Sequence, residues 1–166
     1  MKGFELCFFR HGIAVDREDP SITSDAERPL TEEGTRKTQA AAEGMKRMDA
    51  AFDKILTSPW LRASQTAAIL SEVLGLPAPE IMVELEGDRA AQELIDALAH
   101  RHGKRTLLVG HEPLLSATVI ELLGGEWNLD LKKSGACMVL VDALPVRKPA
   151  TLLWHLTSRQ LRWMAK

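Results

Sequence analysis

Cysteine is scarce in this chain of 166 residues: it occurs twice, as Cys7 and Cys137, each inside an apolar, strand-like run. A secreted disulfide framework needs more, so the two read as buried thiols in a reducing, cytoplasmic setting. Long hydrophobic runs are missing as well. The opening "MKGFELCFFR" meets Arg10 after a short apolar stretch, which is too short for a signal-peptide core or a membrane span. No basic block occurs and the net charge is -2, so neither a nucleic-acid nor a membrane partner is expected. There is no domain-sized repeat and no low-complexity tract. Cys and His pairs at metal-ligand spacing are lacking too. "HEPLL" begins like a zinc-protease helix, but its fifth residue is Leu115, so no metal site is expected.

What is present is ordinary for a globular protein, with 45% hydrophobic and 27% charged residues. One domain over 1–166 is expected, large enough to bury a substantial core. Short apolar runs at "FELCFF", "FDKILT", "IMVELE", "RTLLVG", "CMVLVD" and "TLLWHL" read as strands. Helical spacing fills about 31–48, 59–74, 89–101 and 113–123. This alternation predicts an α/β fold: a layered sandwich with a central, mostly parallel mixed sheet flanked by helices on both faces. The long polar connection "GIAVDREDPSITSDAERP" exceeds the usual length of a structureless loop, which marks it as functional or disordered.

The tripeptide Arg-His-Gly occurs twice, at 10–12 and at 101–103. The second copy follows the spacing Leu94, Ile95, Leu98, Ala99 and reads as a helix stop. Gly103 is expected in a left-handed cap, with His100, Arg101 and His102 complementing the helix dipole. The first copy leaves a strand directly, at the strand end where open α/β sheets bind ligands. Gly12 would allow a sharp turn and a ligand's close approach. A second strand end, "RTLLVGHEP", delivers His111 before Pro113 opens a helix. In "LTSPWLRASQTAAIL", Ser58 is expected as helix N-cap with Pro59 in the first turn. Arg62 then falls where helix N–H groups favour an anion. Two arginine forks and two strand-end histidines suit a phosphoryl group. Blander readings attach to the rest. His155 is a strand residue, and Trp60, Trp127, Trp154 and Trp163 pack at core edges. Ser64 and Thr66 carry no chemistry, while Lys132 and Lys133 form a solvated turn that could rim an anionic site.

These residues resemble the histidine phosphatase superfamily and, within it, the small bacterial phosphohistidine phosphatases. The resemblance rests on "FFRHGIA", "ERPLTEEG", "LTSPWLRASQTA", "LLVGHEPLL" and "LLWHLTSRQLRWM", and it runs over nearly the whole chain. It implies a phosphoglycerate mutase-like fold and a covalent phosphohistidine on His11. Arg10 and Arg62 would bind the phosphoryl oxygens, and His111 would complete the pocket. Arg28 would add a basic group nearby, although Thr31, as cap of the next helix, also accounts for that stretch. A neutral imidazole is a competent nucleophile, and such a pocket needs no cofactor or magnesium. The implied substrate is phosphohistidine on another protein, since imidazole leaves far more easily than an alkoxide and the short connections leave little chain for a lid. Glu84, Glu86, Asp88 and Glu112 each stay open as the acid a phosphate ester would need. The alternatives are a small-metabolite phosphomonoesterase or mutase and a non-catalytic phosphate-binding module.

Overall fold

A computed structural model describes residues 3–126 and 128–166; Trp127 lies outside the described residues. Six strands, β1 (Phe4–Arg10), β2 (Lys54–Thr57), β3 (Glu80–Ile81), β4 (Arg105–Gly110), β5 (Ala136–Val141) and β6 (Thr151–Leu156), form one sheet in the order β3-β2-β4-β1-β5-β6. The pairs β3–β2, β2–β4 and β4–β1 are parallel, whereas β1–β5 and β5–β6 are antiparallel. Five helices accompany it: α1 (Glu32–Arg47), α2 (Leu61–Leu74), α3 (Ala91–Arg101), α4 (Leu114–Leu122) and α5 (Ser158–Met164). This is the expected mixed α/β sandwich. No helix is long and apolar enough to cross a membrane among the described residues.

The period-2 alternation of strands divides the core between two faces. In β1, Phe4, Leu6 and Phe8 join one apolar cluster with Leu94, Leu98 and Leu115 of α3 and α4. Cys7 and Phe9 point the other way, among Ala41, Met45, Ala67 and Leu161 of α1, α2 and α5. Phe8 and Phe9 are both fully buried, each worth about 1.5–3 kcal/mol relative to exposure. The same alternation separates the thiols. Cys137 belongs to the first cluster and Cys7 to the second, so the sheet lies between them and both are free and buried. Burial pushes the Cys137 thiol up to about 12.

Three expectations change. "IMVELE" forms only the two-residue edge strand β3, followed by a 3-10 turn at Val83–Leu85. Met82 and Leu85 are buried while Ile81 and Val83 are 50% and 46% exposed. The effective period is three, that of a 3-10 turn rather than a strand. Gly103 is not a left-handed cap, for α3 ends on an extended His102 and Gly103 is absent from the positive-φ residues. It is small because a Cβ there would sit 2.2 Å from Asp53 Oδ1, a carboxylate that accepts the Lys104 N–H at 2.9 Å. Finally, α5 was not expected. Its signal is the capping box of Thr157 and Gln160.

Candidate active site

The parallel strands β2, β4 and β1 end along one edge of the sheet. Their register aligns Thr57 with Val109 and Arg10 with Gly110, so the next residues, Ser58, His111 and His11, emerge side by side. An open cavity of about 400 Å³ lies over them, lined by Arg10, His11, Arg62 and His111 among others. His102 is at the opposite edge, stacked on Phe4 at the start of β1 with centroids 3.7 Å apart.

His11 is buried and held from both sides. Its Nδ1 is 2.7 Å from the Gly12 carbonyl, which can only accept, so Nδ1 carries the hydrogen. Arg62 Nε–H donates to His11 Nε2 at 3.1 Å. Nε2 is therefore unprotonated, its lone pair accepting the Arg62 N–H. Burial, reinforced by Arg62, Arg10 and Lys133 and opposed by the Gly12 carbonyl, lowers the His11 pKa to about 3. The His111 ring lies 5.0 Å away, between centroids, and burial together with His11 and Arg62 lowers its pKa to about 2. Both rings are thus neutral at ordinary pH, more completely than an unperturbed histidine, whose pKa is about 6.5.

Gly12 does not line the cavity. Its N–H donates to Thr66 Oγ1 at 3.1 Å, so it is not free to bind phosphate, and its role is to seat His11. A Cβ at this position would meet Thr38 Oγ1 at 2.5 Å. Thr66, given no chemistry by its sequence position, turns out to couple α2 to this turn, since its hydroxyl also donates to the Arg62 carbonyl at 2.7 Å. Ser134, left-handed at φ 56, directs its N–H to the carbonyls of Arg10 and His11 at 3.0 and 3.2 Å.

Ser58 is not the N-cap of α2; Trp60 occupies that position. The Ser58 hydroxyl accepts the Trp60 N–H at 3.2 Å and meets His111 Nε2 at 2.9 Å. Trp60, read as a packing residue, lines the cavity, with the Arg62 guanidinium 4.9 Å over its ring and His111 against it at 4.6 Å.

The long loop after Gly12 is ordered. Ala14 bridges Leu30, and a 3-10 turn at Asp25–Glu27 carries a residue that composition alone did not reveal. Asp25 Oδ2 accepts from Arg62 Nη2 at 3.0 Å and its carbonyl from Nη1 at 2.6 Å. Its other oxygen faces Arg28 at 2.7 Å and Arg17 at 2.9 Å. Burial tends to raise the Asp25 pKa, but Arg28, Arg62 and Arg17 outweigh it and hold the carboxyl at about 2. Arg62, only 3% exposed, is thereby fixed between His11 and the loop. Arg10 donates from Nη1 to the Leu131 carbonyl at 2.9 Å, while its buried Nε has no partner among the described residues.

Of the four candidate acids, Asp88 and Glu112 line the cavity and Glu84 and Glu86 do not. Asp88 is exposed. Glu112, in the turn before α4, turns onto the first turn of that helix, accepting the Ser116 N–H at 3.1 Å and the Ser116 hydroxyl; burial raises its pKa. Among the described residues, no group of three His, Cys, Asp or Glu side chains is placed to hold a metal ion.

Residues 6–86 match the model of the histidine phosphatase superfamily, branch 1. Phosphohistidine phosphatase SixA of Escherichia coli is 32% identical over 166 residues, covering 98% of each chain. The chain belongs to the histidine phosphatase superfamily. An uncharacterised protein of Picosynechococcus is 37% identical over 136 residues, 79% of this chain and 81% of the relative. A solved structure of the protein histidine phosphatase SixA complexed with tungstate superposes with a TM-score of 0.83 at 27% identity, over 95% of this chain and 99% of that one. The chain is thus a phosphatase of this superfamily with the phosphoglycerate mutase-like fold.

Proposed function

We propose that this phosphatase removes the phosphoryl group from phosphohistidine on another protein, through a covalent intermediate on His11 Nε2 and without a metal or other cofactor. The observation that carries the proposal is an unprotonated Nε2, held by the Arg62 N–H, on a cavity whose wall holds Arg10, Arg17, Arg28, Arg62 and Lys133. A related SixA structure is complexed with tungstate, itself an oxyanion, which supports an oxyanion ligand for this chain.

In the forward step Nε2 attacks phosphorus and the P–N bond to the substrate imidazole breaks; that imidazole leaves protonated, or takes its proton from water. Arg62 Nε–H, now on Nε2, turns to a phosphoryl oxygen as the lone pair is used. Positive charge developing on the His11 ring is met by the Gly12 carbonyl at Nδ1. Water then attacks phosphorus, the P–Nε2 bond breaks, and inorganic phosphate leaves with the proton given up by that water. The arginine forks hold charge that spreads over the phosphoryl oxygens, and positioned charge of this kind supplies most of phosphoryl-transfer catalysis.

The disposition of the acids favours phosphohistidine over an ester. Asp88 is exposed, and both Glu112 oxygens are engaged with Ser116. An alkoxide leaving group needs an acid directed at it, whereas an imidazole does not. One observation favours the second reading, a small-metabolite phosphomonoesterase: Glu112 lines the cavity with a raised pKa. The test offers one preparation both phosphohistidine protein and a panel of alkyl phosphates. Preferred turnover of phosphohistidine, kept in Glu112→Gln, is expected. Faster alkyl phosphate turnover that collapses in Glu112→Gln by about 10²–10⁴-fold would replace the phosphohistidine reading with the metabolite one. The two buried, free thiols support a reducing, cytoplasmic setting.

A further inference from the structure

A second open cavity, about 460 Å³, adjoins the first and shares Arg10 and Lys133 with it. Its charged lining is Arg10, Lys37, Lys132, Lys133, Arg159 and Arg162, with no carboxylate among the lining residues. In a chain of net charge -2 this is a strong local excess of one sign. The cations come from four separate places: the end of β1, α1, the turn before β5, and α5. Lys37 pairs with Glu33 and Lys132 with Asp130. Arg159 and Arg162 have no ion pair among the described residues, and Arg162 Nε is buried without a hydrogen-bond partner. Arg159 lies over the exposed Trp163 ring at 4.8 Å, which lays its guanidinium along the surface.

We propose that this groove binds an acidic segment of the phosphoprotein substrate, beside the phosphohistidine that enters the catalytic cavity. This rests on the reading of the substrate given above. A single phosphate is best held by buried forks converging on one point. Here Lys132, Lys133 and Arg159 are exposed and stand on separate elements, which suits several carboxylates spread along a chain. Exposed charges of this kind govern encounter and orientation more than the chemical step. Continuity through Arg10 and Lys133 places such a segment next to the reacting group.

The test reverses two groove charges outside the catalytic cavity, Lys132→Glu with Arg159→Glu. Its control makes the same change in net charge elsewhere, Lys104→Glu with Lys148→Glu. A fluorescein-labelled hexaglutamate peptide, free of phosphate, should bind the wild type and the control alike and the groove variant about tenfold more weakly. KM for a phosphohistidine protein with an acidic flank should rise about tenfold in the groove variant, with kcat unchanged. The difference should shrink at about 0.5 M salt, and turnover of an aryl phosphate should not change. Unaltered peptide binding, an equal loss in the control, or preference for a bisphosphate over the peptide would overturn the groove assignment. Peptide binding as expected, with no phosphohistidine turnover by the wild type, would refute the substrate reading while the groove stood as an acidic-peptide site.

Discussion

The two Arg-His-Gly copies occupy opposite edges of one sheet, and their local geometry is nearly the same. His11 Nδ1 is 2.7 Å from the carbonyl of its following glycine, and His102 Nδ1 is 2.8 Å from that of Gly103. Each glycine yields space to a polar neighbour, Thr38 for Gly12 and Asp53 for Gly103. The copies diverge in what surrounds the rest of the ring. His102 stacks on Phe4 at the amino end of β1. His11, at the carboxyl end, meets Arg62, His111 and a cavity lined with cations. A tripeptide can tether an imidazole and set its tautomer, but the rest of its environment comes from neighbours that other elements deliver, Arg62 from α2 and His111 from the end of β4.

The largest effect should separate the copies by activity. His11→Ala is expected to lower turnover by more than about 10⁴-fold, as for loss of a nucleophile. His102→Ala should leave kcat within about twofold and cost only its packing on Phe4, about 0.5–1.5 kcal/mol. Comparable activity losses in two folded variants would erase the distinction between the copies. Next comes the arginine that distinguishes their surroundings. Arg62→Lys keeps a charge but loses the Nε–H to His11 and the fork on Asp25, so kcat should fall about 10²–10³-fold. Unchanged turnover in a folded protein would remove Arg62 from the site.

Where the copies agree, in the crowding at their glycines, effects should be smaller and shared. Gly12→Ala and Gly103→Ala should each destabilise by about 1–3 kcal/mol, measured by denaturant unfolding, because the added methyl lands on Thr38 or Asp53. Only Gly12→Ala should also reduce kcat, since its backbone seats His11, the proposed nucleophile. Equal kcat losses would contradict the comparison.

The remaining effect concerns protonation around the first copy. His11 and His111 titrate at about 3 and about 2 in the folded protein, against about 6.5 when unperturbed. Between those values the unfolded chain binds protons that the folded chain does not, so stability falls as pH drops below about 6.5. Asp25, held at about 2, adds stability that is present above its ordinary value and lost as pH falls towards 2. Nitrogen-15 imidazole spectra should show His11 and His111 neutral from pH 5 to 8. A charged His11 at pH 6 would contradict the burial argument.

Much of this was legible in the sequence, for reasons that particular residues make plain. Strand runs ending in Arg10-His11 and Gly110-His111 carry their own signal, because buried parallel strands are nearly all apolar and a polar residue after them marks the edge. The capped start of α1 at Thr31 is equally local, with its side chain accepting the Gly34 N–H. Asp25 was not legible: it lies in a polar loop and gains its role only from Arg62, 37 positions later. Ser58 and Thr66 were hidden by ordinary helix-end and helix-face explanations, and Trp60 by its size. "IMVELE" misled because its apolar letters fit two periods, and only the packing of Met82 and Leu85 chooses between them.

The most direct measurement is a rapid alkaline-detergent quench of the wild-type enzyme reacting with radiolabelled phosphohistidine protein, followed by peptide mapping of the trapped phosphoenzyme at alkaline pH. The prediction is an acid-labile, base-stable label on His11 Nε2, formed and lost at rates consistent with turnover and absent from His11→Ala. Full turnover with no labelled enzyme intermediate, or a label on any residue other than His11, would contradict the mechanism.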